Sequence, residues 1–478
     1  MTQITILWMV LPFFIGFIIY LLPQFNRFLA LGVVLATAAY AGLIFASGST
    51  YNFQLLDHFG VSLMIDGLSG FFILTNALVT AAVILYCWGS DKTAFFYMQV
   101  IILHGSVNAT FICADFISLY VALEVISIAA FLLISYPRTD RSIWVGLRYL
   151  FVSNTAMLFY LIGAVLVYQA HHSFNFIGLR GAPSEGVALI FLGLLIKGGI
   201  FVSGLWLPLT HSESLSPVSA MLSGVVVKAG VFPLVRCALM LEEIDPIVRI
   251  FGIGTAFLGV CCAIPEKDTK RTLAFSTVSQ LGFIMAAPTV AGFYALTHGL
   301  VKSALFLTAG ILPSRSFQQL HHQPMKNSIW IPLVIASFSI SGFPLLSGFG
   351  AKVLTSKNYL PWQVIAMNII AVGTAICYAK FIFLPYKRNK EKGQIQSGFW
   401  VAMVVLLGGL IAANGFYYQA YSVENLLKPL VIVALGWLIY LFIIKKFVIK
   451  LPRVVEEFDH LIGMMAVMLI IIFWMVRV

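Results

Sequence analysis

Apolar runs of about twenty residues follow one another almost without pause, the first from Ile4 to Leu22. A helix of that length rises about 30 Å, the thickness of a bilayer's hydrocarbon core. In hydrocarbon every backbone N–H and C=O needs a partner within the protein, so only helices and closed barrels can span it. Runs this long are about twice the length of a barrel strand and call for a bundle of helices. Composition agrees. Of 478 residues, 60% are hydrophobic and 10% charged, against about 25% charged in soluble domains. The net charge of +11 does not point to nucleic acid, because the basic residues fall in short loops beside the runs. The first run has no basic residue before it, and no cleavable signal is evident. Cys87, Cys113, Cys237, Cys261, Cys262 and Cys377 lie in apolar runs without metal-ligand spacing and read as small packing residues. No Gly-rich phosphate loop, haem motif or cysteine cluster is present, so no cofactor is expected.

Sixteen spans are expected. They begin near Ile4, Phe28, Ser62, Ala94, Asp115, Ile143 and Val187, continue with an eighth that carries Lys228, and resume near Ile247, Thr272, Ala291, Trp330, Pro361, Phe399, Leu426 and Phe458. Two are interrupted. Span seven breaks near Pro208 and resumes as a half-helix near Pro217, and span twelve breaks at Ser341-Gly342-Phe343-Pro344. Seventeen lysines and arginines occupy odd-numbered loops, among them Arg27, Arg315, Arg388, Lys390, Lys392, Lys450 and Arg453. Even-numbered loops hold four: Arg180, Arg249, Lys357 and Lys428. The bias predicts odd loops in the cytoplasm and both termini outside. The organisation expected is a three-helix segment over 1–92, two five-helix groups over 93–242 and 243–386, and C-terminal helices over 387–478. Each five-helix group has a broken, lysine-bearing helix as its fourth member, the plan of inverted repeats with a site at their discontinuous helices.

Charges inside the spans carry the chemistry. From Gly193 to Arg236 the chain is apolar, yet it holds Lys197 and Lys228 on either side of a helix-breaking patch. A lysine at the bilayer centre costs roughly 3 kcal/mol, and broken helices at that depth need protein or water around them. Glu124 lies nine residues into span five, roughly 13 Å deep, and Lys197 is its natural counter-charge. His298 and Lys302 share one helix face at i, i+4, and Lys352 follows the break in span twelve. Buried lysines and histidines that gain and lose protons describe a proton path. The alternative for a single pair is an ion pair that only fixes packing. Four deep lysines against one deep acid cannot all be static pairs. Arg148, Arg236 and Lys380 lie nearer helix ends and are expected to snorkel. Ser276, Thr277, Ser279 and Gln280 form a polar stripe that suits either water or helix–helix hydrogen bonds.

At these residues the chain resembles the antiporter-like membrane subunits shared by respiratory complex I and the Mrp-type multi-subunit cation/proton antiporters. The resemblance runs from about Asp66 to Phe383. It is carried by IDGLS at Ile65–Ser69, Glu124, IKGGIFVSGLWLP with Lys197, SPVSAMLSGVVVKAGVFPLVR with Lys228, DTKRTLAFSTVSQLGFI from Asp268, and THGLVKSALFLTAG with His298 and Lys302. SGFPLLSGFGAK places Lys352 where one type of complex I subunit looks acidic, which leans toward the D-type Mrp subunit. The sequence departs from the family in Arg148, where lysine is usual, in Gln280, where some relatives have histidine, and in two spans beyond fourteen.

The resemblance implies an all-α polytopic fold with two inverted five-helix repeats, and a proton-translocating subunit of a cation (Na+)/proton antiporter rather than an enzyme. Glu124, Lys197, Lys228, His298, Lys302 and Lys352 would be the path. It also implies a bacterial-type plasma or thylakoid-type membrane, companion membrane subunits, and protons and Na+ as cargo. The alternatives are a proton-pumping subunit of a complex I-like quinone oxidoreductase or bicarbonate-accumulating assembly, and a membrane scaffold whose charges only fix packing.

Overall fold

Among the described residues, thirteen helices are long and apolar enough to cross a membrane. Three more segments fill the expected order of sixteen: the 17-residue Ala94–Thr110, Thr269–Ala286 with Lys270 and Arg271 in its first turn, and the broken pair Asn327–Ser341 and Ser347–Lys357. This computed structural model describes residues 2–56, 60–387, 395–446 and 453–477. Arg388, Lys390, Lys392 and Lys450 lie outside the described residues.

Spans one to six are Thr2–Leu21, Asn26–Ser47, Gly67–Tyr86, Ala94–Thr110, Phe116–Ile134 and Asp140–His171. Span seven is Ser184–Glu213 and span eight Ser216–Met240. Spans nine, ten and eleven are Asp245–Ala263, Thr269–Ala286 and Ala291–Ala309. The broken span twelve is followed by Val364–Ile382, Ser397–Phe416, Val423–Ile444 and Phe458–Arg477. Span eight is wholly buried, and spans one, fifteen and sixteen are under a third buried. Lys228 therefore sits on the central helix.

Two boundaries differ from expectation. Span three begins at Gly67, because Gly60–Ile65 is a strand (β2) paired antiparallel with Tyr51–Leu56 (β1). β2 is also tied to the span four–five connection by Met64 N–H to Ile112 O (2.8 Å) and Ala114 N–H to Ser62 O (2.8 Å). The helix starts where Asp66 caps it, accepting from Ser69 N–H at 2.9 Å. In span seven the helix stops at Gly198 and Gly199 turns left-handed (φ +67°), about nine residues before Pro208. Pro208 instead sits in the first turn of the resumed half, Leu207–Glu213, where its missing N–H costs nothing. Pro217 starts the helix that carries Lys228, not the second half of span seven. The break's backbone is satisfied by protein: Trp206 Nε1 donates to Ile196 O (3.0 Å) and Phe201 N–H to Thr255 Oγ1 (3.0 Å). Four cysteines are buried, but Cys261 is exposed, so packing does not account for all six.

Contacts among loops show the alternation of the spans. Arg27 donates to Ser90 O, Thr93 N–H to Tyr136 Oη, Lys270 to Ser214 O and Met325 N–H to Pro385 O. Ion pairs join Arg141 to Glu213, Arg315 to Asp268, and Arg271 to Glu266 and Glu456. Each of these joins odd-numbered loops or the helix ends beside them, so those loops share one face. The β-hairpin, the span four–five connection and the Phe174 loop join on the opposite face, as does Arg249, which reaches Ala286 O and Gln363. Five-span groups contain an odd number of crossings, so spans four to eight and nine to thirteen run in opposite senses. The broken member is the fourth in both.

Arg236 does not snorkel. Its guanidinium is bidentate on Asp66, with Nη2 to Oδ1 at 2.9 Å, and also reaches Ser69 Oγ (2.9 Å). Lys380 likewise stays inside, donating to Ala263 O (3.3 Å), Ile264 O (3.2 Å) and Glu266 O. It caps the carbonyl end of span nine, where a cation is favoured.

Reporter fusions on the described odd-face sites Arg138 and Arg315 should read the same side, and fusions after Lys357 and Lys428 the other; any mixed reading breaks the alternation. A second outcome concerns Asp66. Burial pushes its carboxyl upward, and the hydrogen bonds and charge of Arg236 outweigh that and hold it below the usual carboxylate range. A depressed acid stabilises the fold above its unfolded pKa of about 3.9, and that stabilisation is lost as pH falls through the lower folded value. Thermal melts should therefore show the wild type losing stability below about pH 4. Asp66→Asn should show a weaker dependence there and a loss of roughly 3–5 kcal/mol at neutral pH, because Arg236 is left buried and unpaired.

Candidate functional site

The four deep lysines share one feature. Among the described residues none has a carboxylate within 4.0 Å, and each amine is held by carbonyl or hydroxyl oxygens instead.

Lys197 lies in the last turn of the first half of span seven. Its Nζ donates to Leu123 O (3.0 Å), Ser127 Oγ and Ser153 Oγ (2.7 Å), and the two hydroxyls are 2.9 Å apart. These partners come from spans five and six. Glu124 is next to Leu123 on the same turn and half-buried, but no ion pair joins it to Lys197. The expected pair is open here. Helix geometry is the reason: Leu123 O and Ser127 point at span seven, and Glu124 stands to one side of them.

Lys228 is fully buried. One turn before it, Leu222–Val226 is a π-helical turn, with Val227 N–H reaching back five residues to Leu222 O (3.2 Å). The wider turn leaves carbonyls free, and Lys228 Nζ takes Gly224 O and Ser223 O (3.3 Å). Ser223 Oγ is 2.7 Å from Thr277 Oγ1, and Thr277 Oγ1 donates to Leu273 O (2.9 Å). Leu273 O also accepts from Lys302 Nζ (2.8 Å), which donates to Ser276 Oγ as well. Ser276 Oγ is 3.0 Å from Tyr378 Oη. Lys228 and Lys302 are thus joined through Ser223, Thr277 and Leu273.

His298 is one turn from Lys302 and buried, and neither ring nitrogen has a partner among the described residues. It lines a cavity of about 10 Å³ with Gln280, Tyr294, Thr297 and Lys352, about the space one water needs. Lys352 lies in the first turns of the second half of span twelve and reaches back to Ser341 O (3.2 Å), a carbonyl at the end of the first half. Gly342 is left-handed there (φ +85°), and a Cβ on it would meet Lys352 Cδ at 2.8 Å, so the break and the lysine pack as one unit. A second cavity of about 50 Å³ runs from Lys352, Ser341 and Tyr359 to Lys428, which lies in the first turns of span fifteen, next to the even-numbered span fourteen–fifteen connection.

The polar stripe of span ten resolves into helix–helix bonds: Ser276 to Lys302, Thr277 to Ser223, and Gln280 Oε1 to Tyr294 Oη (2.7 Å). Ser279 Oγ has no partner among the described residues. Sequence reasoning missed Ser127, Ser153, Ser223 and Tyr294. Ser127 carried a signal, three residues after Glu124 on the same helix face. The others are ordinary small or aromatic residues until their neighbours across the bundle are known. Also missed was a buried network in spans two to four, where His104 Nε2 lies 2.9 Å from Thr37 Oγ1 and its Nδ1 3.2 Å from Thr80 Oγ1.

Chemically, hydroxyls both donate and accept, so they can pass a proton by reorienting, and carbonyls hold an ammonium without neutralising it. Lys228, Lys302, His298 and Lys352 thus lie along one buried polar track whose hydroxyls can reorient, with Lys197 and its serines as a separate cluster.

Residues 113–377 match the family described as NADH:quinone oxidoreductase/Mrp antiporter, TM. The D-type chain of the Na(+)/H(+) antiporter of Alkalihalophilus pseudofirmus is 24% identical, over 90% of this chain and 98% of that one. NAD(P)H-quinone oxidoreductase chain 4-2 of Synechocystis is 28% identical, over 73% and 71%. Hydrogenase-4 component B of Escherichia coli is 28% identical, over 78% and 64%. In the solved membrane-bound sulfane sulfur reductase, an archaeal respiratory membrane complex, a chain superposes with TM-score 0.77 at 20% identity, over 91% of this chain and all of that one. That likeness concerns the fold.

The Lys228 station makes a packing prediction. A Cβ on Gly299 would collide with Thr75 Cγ2 and sit 3.0 Å from Gly224 O and 3.5 Å from Lys228 Nζ. Gly299→Ala should destabilise by about 1–3 kcal/mol in thermal melts, and adding Thr75→Ala should recover part of that loss. An additive double mutant would mean that the two side chains do not compete for one space.

Proposed function

The chain belongs to the NADH:quinone oxidoreductase/Mrp antiporter family of membrane subunits, and on that premise we propose that it is the proton-translocating, D-type subunit of a cation (Na+)/proton antiporter assembly. The observation that carries the reading is the set of four deep lysines held by carbonyl and hydroxyl oxygens with, among the described residues, no carboxylate in ion-pair reach. An amine held this way can lose and regain its proton without breaking a salt bridge. The near-complete coverage of the Alkalihalophilus antiporter chain supports the D-type assignment.

In this reading Glu124 and Lys197 are a switch. Glu124 and Ser127 are neighbours on one helix face, so a side-chain rotation exchanges a serine partner of Lys197 for the carboxylate. Closing the pair holds the proton on Lys197, and opening it releases the proton. Lys228, Lys302 and His298 pass protons along the bundle centre. Lys352 is the last station, opening through its cavity toward Lys428. Spans four to eight and nine to thirteen each contribute a half-path, the odd-loop face is cytoplasmic, and the companions are other membrane subunits. The complex I-type role is the second reading, supported by the similarity to the Synechocystis chain, and the partners that co-purify with the chain decide between the two.

Proton flux in vesicles, at matched expression, tests the path. Glu124→Ala should abolish coupled transport while the assembly still forms; failure to assemble would favour a scaffold. For Lys352, arginine keeps the charge but holds its proton at every accessible pH, and glutamate keeps a titratable group. Lys352→Arg should stall transport as badly as Lys352→Ala, and Lys352→Glu should retain part of it. Wild-type flux from the Arg variant removes Lys352 from the path.

A further inference from the structure

Arg148 is the one buried cation of spans five and six that the pathway does not use. It is 9% exposed, and among the described residues no carboxylate lies within 4.0 Å of it. Its Nη2 donates to the Glu456 backbone carbonyl, and its Nε is buried without a partner. The carboxylate of Glu456 is occupied by Arg271. The charge of Glu456 reaches Arg148 from a distance, but a buried guanidinium with no carboxylate in contact is costly unless an anion completes it.

The surroundings identify the anion. Arg148 lies on the wall of a groove of about 600 Å³ whose other walls are chiefly apolar, with Leu147, Phe151, Leu158 and Phe458. Leu147, Phe151 and Leu158 are all about half exposed, so the groove opens sideways from the bundle. Trp144 stands over the guanidinium at 5.8 Å. Span six has 32 residues, about 48 Å of helix against roughly 30 Å of hydrocarbon. Arg148 is eight residues from its start, about 12 Å along. A centred helix would overhang by about 9 Å at each end, which puts Arg148 close to the boundary between headgroups and acyl chains. That is where a phosphate sits, and where tryptophan concentrates.

We propose that the Arg148 groove, between span six and the start of span sixteen, is a binding site for one anionic phospholipid, its phosphate on the guanidinium and an acyl chain along Leu147, Phe151 and Leu158. An aqueous phosphate has no use for the apolar wall, and a zwitterionic lipid carries its own cation to offset the phosphate. The occupied site would also brace the Arg148–Glu456 contact that ties span six to the loop before span sixteen.

Native mass spectrometry and thermal melts on the purified full-length chain test this, with phosphatidylglycerol, phosphatidylcholine of the same acyl chains, or inorganic phosphate added after delipidation. The wild type should bind one phosphatidylglycerol about tenfold more tightly than phosphatidylcholine and melt higher with it, and phosphate alone should do neither. Arg148→Gln should abolish the preference, and Arg148→Lys should keep part of it. Leu147→Trp fills the groove, leaves the cation in place and should lose the lipid, so it reports even where Arg148→Gln does not fold. Equal binding of the two lipids, a preference that survives Arg148→Gln, or a phosphate effect equal to that of phosphatidylglycerol would overturn the proposal. So would a photo-crosslinker at Leu158 that captures protein instead of lipid in the intact membrane.

Discussion

A buried ammonium without a carboxylate needs oxygen acceptors, and a regular helix has few to offer because its carbonyls already face the next turn. For Lys228 and Lys352 the structure meets that need where helices depart from regularity. The π-turn at Leu222–Val226 frees the carbonyls that hold Lys228, and the break at Gly342 frees the Ser341 carbonyl that Lys352 takes. Lys197 lies in the last turn of its half-helix, just before the left-handed Gly199. Its acceptors come from spans five and six, and Lys302, on an unbroken helix, borrows a carbonyl and a hydroxyl from span ten. For Lys228 and Lys352 the charge and the irregularity go together as one device, because the irregular turn supplies carbonyls that lower the cost of burying the ammonium.

Such a device works only if the helix ends stay in place. On the odd-loop face, Arg271 joins Glu266 to Glu456, and Arg315 holds Asp268. On the other face Asp66 caps span three and pairs with Arg236 at the end of span eight, and Arg249 ties Asp245 to the span ten–eleven and span twelve–thirteen connections. Most of these groups are largely buried, so losing one partner strands the other, and the clamps are strong in that sense. The centre, whose lysines have no carboxylate within ion-pair distance among the described residues, lies between two layers of paired charge. Arg148 belongs to neither layer. It lines a groove that opens sideways from the bundle, where on our proposal a lipid phosphate completes it.

Span number, the two broken helices, the alternation of loops and the candidate lysines were all legible in the chain. Each rests on a one-dimensional signal: twenty apolar residues leave no fold but a spanning helix, and a lysine inside such a run is visible whatever surrounds it. The positions of the breaks were less so. Pro208 drew the expected break to itself, but a proline is tolerated in a helix's first turn, and the turn was made by Gly199. The stretch from Ser62 read as the start of a helix, but Ser62–Ile65 belongs to the strand Gly60–Ile65. It is a strand because Ile112 and Ala114, far along the chain, supply its hydrogen bonds.

Tertiary structure alone decided who holds each charge. Glu124 and Lys197 form the natural pair on paper, yet the rotation of span five presents Leu123 O and Ser127 to the lysine and leaves the acid beside them. Arg236 and Lys380 look like snorkelling residues by their distance from helix ends, but Asp66, 170 positions away in sequence, and the carbonyl end of span nine lie within reach. The reason is general. Hydrophobic length is a property of one segment and can be read along it. Hydrogen-bond partnership is a property of two segments, and their relative rotation is set by packing across the whole bundle.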